Sequence, residues 1–163
     1  MALMDLLVTG HGAVEVRDVD MAQLCRDAAE AVRPALAAKG VALEVHAQEG
    51  SLWGSESLLK TMLINLLDNA RKASPSGKTV KLMGVPEEKG YRLIVEDQGR
   101  GIPEQDLQRI TEAFYMVDKS RSRAEGGAGL GLALCKTIAA FHGGTLHFFS
   151  REQQGTTVEV TLG

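Results

Sequence analysis

Two pairs of alternating segments, each pair folded about a short polar turn, limit the architecture of this chain more than any other feature. "KTVKLMGV", Lys78 to Val85, and "YRLIVEDQG", Tyr91 to Gly99, flank "PEEKG". "TLHFFS", Thr145 to Ser150, and "TTVEVTL", Thr156 to Leu162, flank "REQQG". Period-two patterning around a short turn predicts antiparallel hairpins. "VEVRDV", Val14 to Val19, and "VALEVHA", Val41 to Ala47, alternate as further strands, and "SLWGS", Ser51 to Ser55, is a short strand or a turn. The rest is helical or rich in glycine and charge. Asp20 is an N-cap for a helix over "MAQLCRDAAEAVRPALAAKG" closed by Gly40, with Pro34 as a point of kinking or splitting. Ser55 caps a second helix through "NLLDNARKA", Asn65 to Ala73. A short helix is expected after Pro103, and "GLGLALCKTIAAFHGG" is a long helix ending at Gly143. Helices and hairpins without regular strand–helix alternation predict an α+β two-layer sandwich, a mixed and mainly antiparallel sheet covered on one face by about three helices.

A length of 163 residues suits one domain. A net charge of −3 argues against a general nucleic-acid binder, which would be basic, but not against a phosphorylated ligand, where local charge decides. Cys25 and Cys135 belong to no paired-cysteine motif and read as reduced thiols of a cytoplasmic protein. No apolar run approaches the roughly 20 residues of a membrane span, and the start does not resemble a signal peptide. No membrane contact is expected from this segment.

The second helix poses a question of composition. At about 100° per residue, Asn69 lies about 40° from Asn65 and Lys72 about 20° to the other side, so the three share one narrow stripe. Leu59, Leu63, Leu66, Leu67 and Ala70 occupy the opposite face. A polar face on an arbitrary helix is usually just solvated, but solvated faces favour Glu, Lys and Arg over two asparagines. An amide oxygen is a hard, neutral ligand suited to a magnesium ion already held by phosphates, and a lysine one turn on offers a point charge to a phosphate oxygen.

Two glycine-rich stretches extend the pattern. In "VEDQGRGIP", Val95 to Pro103, a strand ends at Asp97 and Gly99 and Gly101 follow alternately. Such a turn lets backbone approach something flat, and a carboxylate there can accept from an exocyclic amine such as adenine's. A calcium loop or a plain tight turn is the other reading, although calcium loops bring more carboxylates than Gln98 and Arg100 supply. In "RAEGGAGLGLALCK", Gly126, Gly127, Gly129 and Gly131 open a helix, whose N-terminal N–H groups suit phosphates. The preceding "MVDKSRSR" contributes Lys119, Arg121 and Arg123 and reads as a triphosphate lid or as a mobile solvated loop.

In this order, N-x-x-x-N-A-x-K, D-x-G-x-G-I, "AFYMVDKSRSR", G-G-x-G-L-G-L and the late "GTTV" resemble the ATP-binding catalytic domain of bacterial sensor histidine kinases, within the GHKL superfamily. The resemblance runs from about Val14 onward. It implies a Bergerat-type sandwich holding ATP and Mg2+, with residues 13–163 as the catalytic domain and 1–12 as the remnant of a preceding dimerisation helix or linker. By position, Asn69 would ligate magnesium, with Asn65 nearby and Lys72 on the phosphates, these last two being the catalytic candidates. Asp97 would read adenine, with Gly99, Gly101 and Ile102 shaping its pocket and Thr156 near the base. Gly127, Gly129, Leu130, Gly131 and Leu132 would cradle the phosphates, with Lys119 and Arg121 in the lid. Phe114 and Tyr115 would couple that lid to the helical domain. The lid from Tyr115 to Gly127 is expected to be mobile until phosphates order it.

Two departures from the family shape the expectation. Relatives often have arginine after the "FY" pair, where this chain has Met116, and Lys119 or Arg121 would replace it. The family's phosphoacceptor histidine precedes an acidic residue, whereas His11, His46, His142 and His147 precede Gly, Ala, Gly and Phe. The acceptor is therefore expected on a dimerisation domain outside this chain, in a longer sensor anchored at the bacterial inner membrane, with a response regulator further along; the isolated domain is expected to be monomeric. The resemblance also implies that ATP-hydrolysing relatives carry a glutamate base where Asn65 stands. An amide cannot take a proton from water, which favours a kinase over an ATPase. A GHKL ATPase or serine kinase, and a non-catalytic ATP-sensing module, are the alternatives.

Overall fold

A computed structural model describes residues 15–99, 130–151 and 155–163. Its elements are strands β1 (Arg17–Asp20), β2 (Ala42–Ala47), β3 (Ser51–Gly54), β4 (Thr79–Glu87), β5 (Gly90–Glu96), β6 (Thr145–Arg151) and β7 (Gly155–Leu162), and helices α1 (Met21–Lys39), α2 (Glu56–Ala73) and α3 (Leu130–Phe141). Five strands form one sheet in the order β2-β4-β5-β7-β6, in which only the β2–β4 pair is parallel. Both expected hairpins are present. The first is tighter than its sequence suggests, because Pro86 and Glu87 continue β4 and Glu87 pairs directly with Gly90.

The helix boundaries follow from local chemistry. The Asp20 side chain accepts from the Gln23 N–H, and Gly40 closes α1 at φ +80°, a backbone conformation that glycine adopts without a steric cost. Pro34 does not split the helix: α1 runs unbroken through it. Pro34 and Glu30, whose carbonyl loses its partner, are both exposed, so water can satisfy that oxygen. The Ser55 hydroxyl accepts from the Leu58 N–H at 3.2 Å to start α2. The helix stops at Ser74, just before Pro75.

α2 is the central helix, packed on both α1 and α3. Its buried residues Leu59, Met62, Leu63, Leu66 and Leu67 meet Leu82, Leu93 and Val160 of the sheet in one core with Leu24 and Leu36 of α1. Each fully buried side chain of this size contributes about 1.5–3 kcal/mol. The single expected sheet is corrected in one respect: β1 and β3 pair with each other in a separate antiparallel two-stranded sheet. Only Val19 of β1 and Leu52 and Gly54 of β3 are buried, so this ribbon has one thin inner face and lies apart from the main ladder.

Candidate functional site

Asn65, Asn69 and Lys72 are all half-buried along α2, on the side away from Leu63, Leu66, Leu67 and Ala70, which are buried. The expected division of the helix into a core face and a polar stripe is the observed one. Among the described residues, neither asparagine amide has a side-chain hydrogen-bond partner. Lys72 Nζ lies 3.4 Å from Asp68 Oδ2, while Arg71 Nε donates to Asp68 Oδ1 at 2.8 Å.

At the end of β5, Asp97 organises a turn. Its Oδ1 accepts the Gly99 N–H at 2.9 Å and the Thr156 N–H at 3.1 Å, and its own N–H donates to the Thr156 carbonyl at 2.9 Å. Both bonds run from backbone N–H groups to one carboxylate oxygen and fix the orientation of the side chain. Thr156 is buried, and its hydroxyl lies 2.8 Å from Ser150 Oγ, which donates to the Gly155 carbonyl. Gly155 has φ +106°, and a Cβ there would stand 2.4 Å from the Asp97 carbonyl oxygen. Gly99 packs on the end of α2, where a Cβ would stand 2.1 Å from the Ala73 carbonyl oxygen. The turn at Asp97 therefore abuts the residue that follows Lys72.

The third helix packs on α2 in register. His142 Nε2 accepts the Ser55 N–H at 3.0 Å, and Cys135 Sγ faces the Met62 carbonyl at 3.6 Å. These contacts are seven residues apart in each helix, so α2 and α3 run antiparallel in step. Continuing that step puts Leu130, the first residue of α3, about level with Leu67, half a turn from Asn69. A helix N-terminus carries N–H groups without intrahelical partners and a positive dipole end. Leu132 is half-buried and packs against the core.

The structure joins Asp97, Gly99 and Thr156 in one turn and packs that turn, through Gly99, on Ala73 at the end of the helix that carries Asn65, Asn69 and Lys72; Leu130 and Gly131 begin α3. Gly101, Ile102, Tyr115, Lys119, Arg121, Gly127 and Gly129, with Phe114 and Met116, lie outside the described residues. Sequence reasoning did not single out Ser150 or Gly155. The only signal was the glycine preceding Thr156, since the contacts that matter cross from β7 to β5. No group of three or more His, Cys, Asp or Glu able to hold a metal ion occurs among the described residues. A lone amide such as that of Asn69 does not make an all-protein metal cage, but it fits magnesium whose other ligands are phosphate oxygens and water.

Residues 54–163 match the family described as histidine kinase-, DNA gyrase B-, and HSP90-like ATPase. The chain belongs to that family. This histidine-kinase-type ATPase domain is 36% identical over 156 residues to the sensor-like histidine kinase SenX3 of Mycolicibacterium smegmatis, a match covering 93% of this chain and 41% of that protein. It therefore spans about two fifths of the relative's length. The sensor histidine kinase WalK of Bacillus subtilis is 44% identical over 103 residues, 62% of this chain and 17% of WalK. Among solved structures, the mycobacterial sensor histidine kinase MprB superposes with a TM-score of 0.79 at 30% identity, covering 91% of this chain and 97% of that one. Full-length ShkA, solved in complex with AMPPNP, gives a TM-score of 0.79 at 27% identity over 99% of this chain and 35% of ShkA. The homologues are sensor histidine kinases, and the domain is the kinase-type catalytic ATPase domain.

Proposed function

We propose that this domain binds Mg·ATP and donates the γ-phosphoryl group to a histidine on a dimerisation domain outside the segment, as the catalytic step of a two-component pathway. The observation that carries the reading is the packing of the Asp97 turn, through Gly99, onto the end of the helix bearing Asn65, Asn69 and Lys72. This packing supports an adenine reader beside a polyphosphate stripe. The ShkA complex with AMPPNP supports a nucleotide of this kind.

In this reading the Asp97 carboxylate accepts from the adenine amine, held in place by the Gly99 and Thr156 N–H groups. The Lys72 ammonium takes a phosphate oxygen, and the backbone N–H groups at the start of α3, with Gly127, Gly129 and Gly131, enclose the others. Lys119 and Arg121 complete the lid in place of the cation that Met116 does not supply. Asn69 contributes an amide oxygen to magnesium, which neutralises charge on the phosphates and orients them. Phosphoryl transfer depends on that positioning and neutralisation, and the protein needs to supply little covalent chemistry. Asn65 offers an amide beside the phosphates and cannot activate water, so the phosphoryl group is kept for histidine. The partners in this reading are the histidine-bearing helical domain of a longer, inner-membrane-anchored sensor and its response regulator, with this domain on the cytoplasmic side. Among the described residues, no helix is long and apolar enough to cross a membrane.

The test mixes the chain with a matched histidine-bearing helical hairpin and labelled ATP. Acid-labile, base-stable phosphate on the hairpin is the expected product, lost with Asp97→Asn and with Asn69→Ala. Release of inorganic phosphate without label on the hairpin would point to an ATPase instead.

A further inference from the structure

The last turn of α2 sets a problem of charge. Its carbonyls crowd the end of the helix at which Lys72 would meet a phosphate, and the helix dipole leaves that end negative by roughly half an elementary charge. A last-turn lysine is drawn back onto such carbonyls. A negative helix end also repels the polyanion.

Two neighbours remove those carbonyls from competition. The Ser74 N–H donates to Ala70 O at 3.0 Å and to Arg71 O at 3.2 Å. Lys39, from the end of α1, donates through Nζ to Arg71 O at 2.8 Å and to Lys72 O at 3.1 Å. Lys72's other competitor, the Asp68 carboxylate, is already shared with Arg71.

We propose that Lys39 is a positioning residue for the phosphate site. By capping Arg71 and Lys72, its ammonium neutralises the end of α2 and leaves the Lys72 ammonium for a polyphosphate. The proposal rests on the nucleotide reading above. Lys39 does not touch the ligand in this account; it acts through Lys72.

The surrounding backbone ties Lys39 to the adenine side as well. The Gly77 N–H donates to Gly40 O at 2.8 Å, the Ala42 N–H to Lys78 O at 3.0 Å, and the Thr79 N–H to Gln98 Oε1 at 3.0 Å. The end of α1, the turn after α2 and the Asp97 turn are therefore one hydrogen-bonded assembly. Loss of a merely structural cap would loosen that assembly as a whole. Loss of a phosphate-positioning charge would be felt only by ligands that carry phosphates.

Lys39→Met keeps the aliphatic stem and removes the ammonium, and Lys39→Arg keeps a cation. Binding of Mg·ATP and of adenosine to the whole chain is followed by amide chemical shifts, alongside thermal melting. The expected result is a roughly tenfold loss of Mg·ATP affinity in Lys39→Met, adenosine affinity within about twofold of wild type, and recovery in Lys39→Arg. Should Lys39→Met fold poorly, Lys39→Gln, which keeps a donor without the charge, is expected to show the same selective loss. Unchanged Mg·ATP affinity in a folded variant would overturn the proposal. So would parallel losses for ATP and adenosine that track the melting temperature. A wild-type chain that binds neither ligand would overturn the nucleotide reading itself and this proposal with it, whereas wild-type binding with an unaffected variant removes only the role of Lys39.

Discussion

The Ser55 N–H donates to His142 Nε2 across 3.0 Å, joining the residue that caps α2 to the turn that ends α3. The other ring nitrogen, Nδ1, lies 2.8 Å from the Ile138 carbonyl and serves as the donor, so the neutral Nδ1–H tautomer satisfies both contacts. An imidazolium could no longer accept from Ser55. Gly54 makes room for the ring, since a Cβ there would stand 2.4 Å from His142 Cδ2.

That contact predicts an acid-sensitive fold. Burial pushes the His142 pKa below its ordinary 6.5, and the bond to Ile138 opposes this only in part. The unfolded chain then binds the proton more readily, so the contribution of His142 is complete above pH 6.5 and is lost as pH falls from there through the folded value. The slope reaches at most about 1.4 kcal/mol per pH unit for one proton. Urea melts between pH 7.5 and 5 are expected to show it. Replacement by Leu should flatten the slope while costing about 1–3 kcal/mol at pH 7.5 for the orphaned Ser55 N–H.

Cys25 and Cys135 are both free and buried, and burial pushes each thiol up to about 12. Neither is a thiolate at pH 8, so neither should react with a disulfide reagent while the domain is folded. Both are expected to titrate at once in denaturant. Rapid native-state labelling of either would contradict the burial described here.

Gly155→Ala should damage fold and site together. The residue sits at φ +106°, and a methyl would meet the Asp97 carbonyl at 2.4 Å. A destabilisation of about 1–3 kcal/mol is expected, with weaker adenosine binding as Thr156 moves off Asp97. Calorimetric melting and adenosine titration read the two effects separately.

Asn65→Glu tests the choice between transfer to histidine and hydrolysis. Asn65 is half-buried on the rim of α2, so a carboxylate is expected to be accommodated without loss of folding. If the position is beside the γ-phosphate, background ATP hydrolysis should rise by about tenfold or more, within the range of a positioned general base. Unchanged hydrolysis by a folded variant would remove Asn65 from the reaction.

Much of the architecture was legible because it is local. Asp20, Ser55 and Gly40 mark helix ends through bonds within a few residues, and the alternating runs pair across short turns. The stripe on α2 was legible for the same reason, since helical geometry alone puts Asn65, Asn69 and Lys72 on one side. Illegible features depend on partners distant in sequence. Pairing of β1 with β3 in a separate ribbon, the parallel match of β2 to β4, and the exposure of Pro34 within α1 are all decided by packing.

The sequence by itself determined which segments coil and which extend, and which polar residue types stand on the exposed side of α2. Period and capping act over distances the chain cannot avoid. Tertiary structure decided which of these residues meet. Asp97 finds Thr156 across 59 positions, Ser55 finds His142 across 87, and Lys39 finds the end of α2 across 32 and 33. Such contacts depend on how two layers close over a common core, and no local pattern encodes that closure.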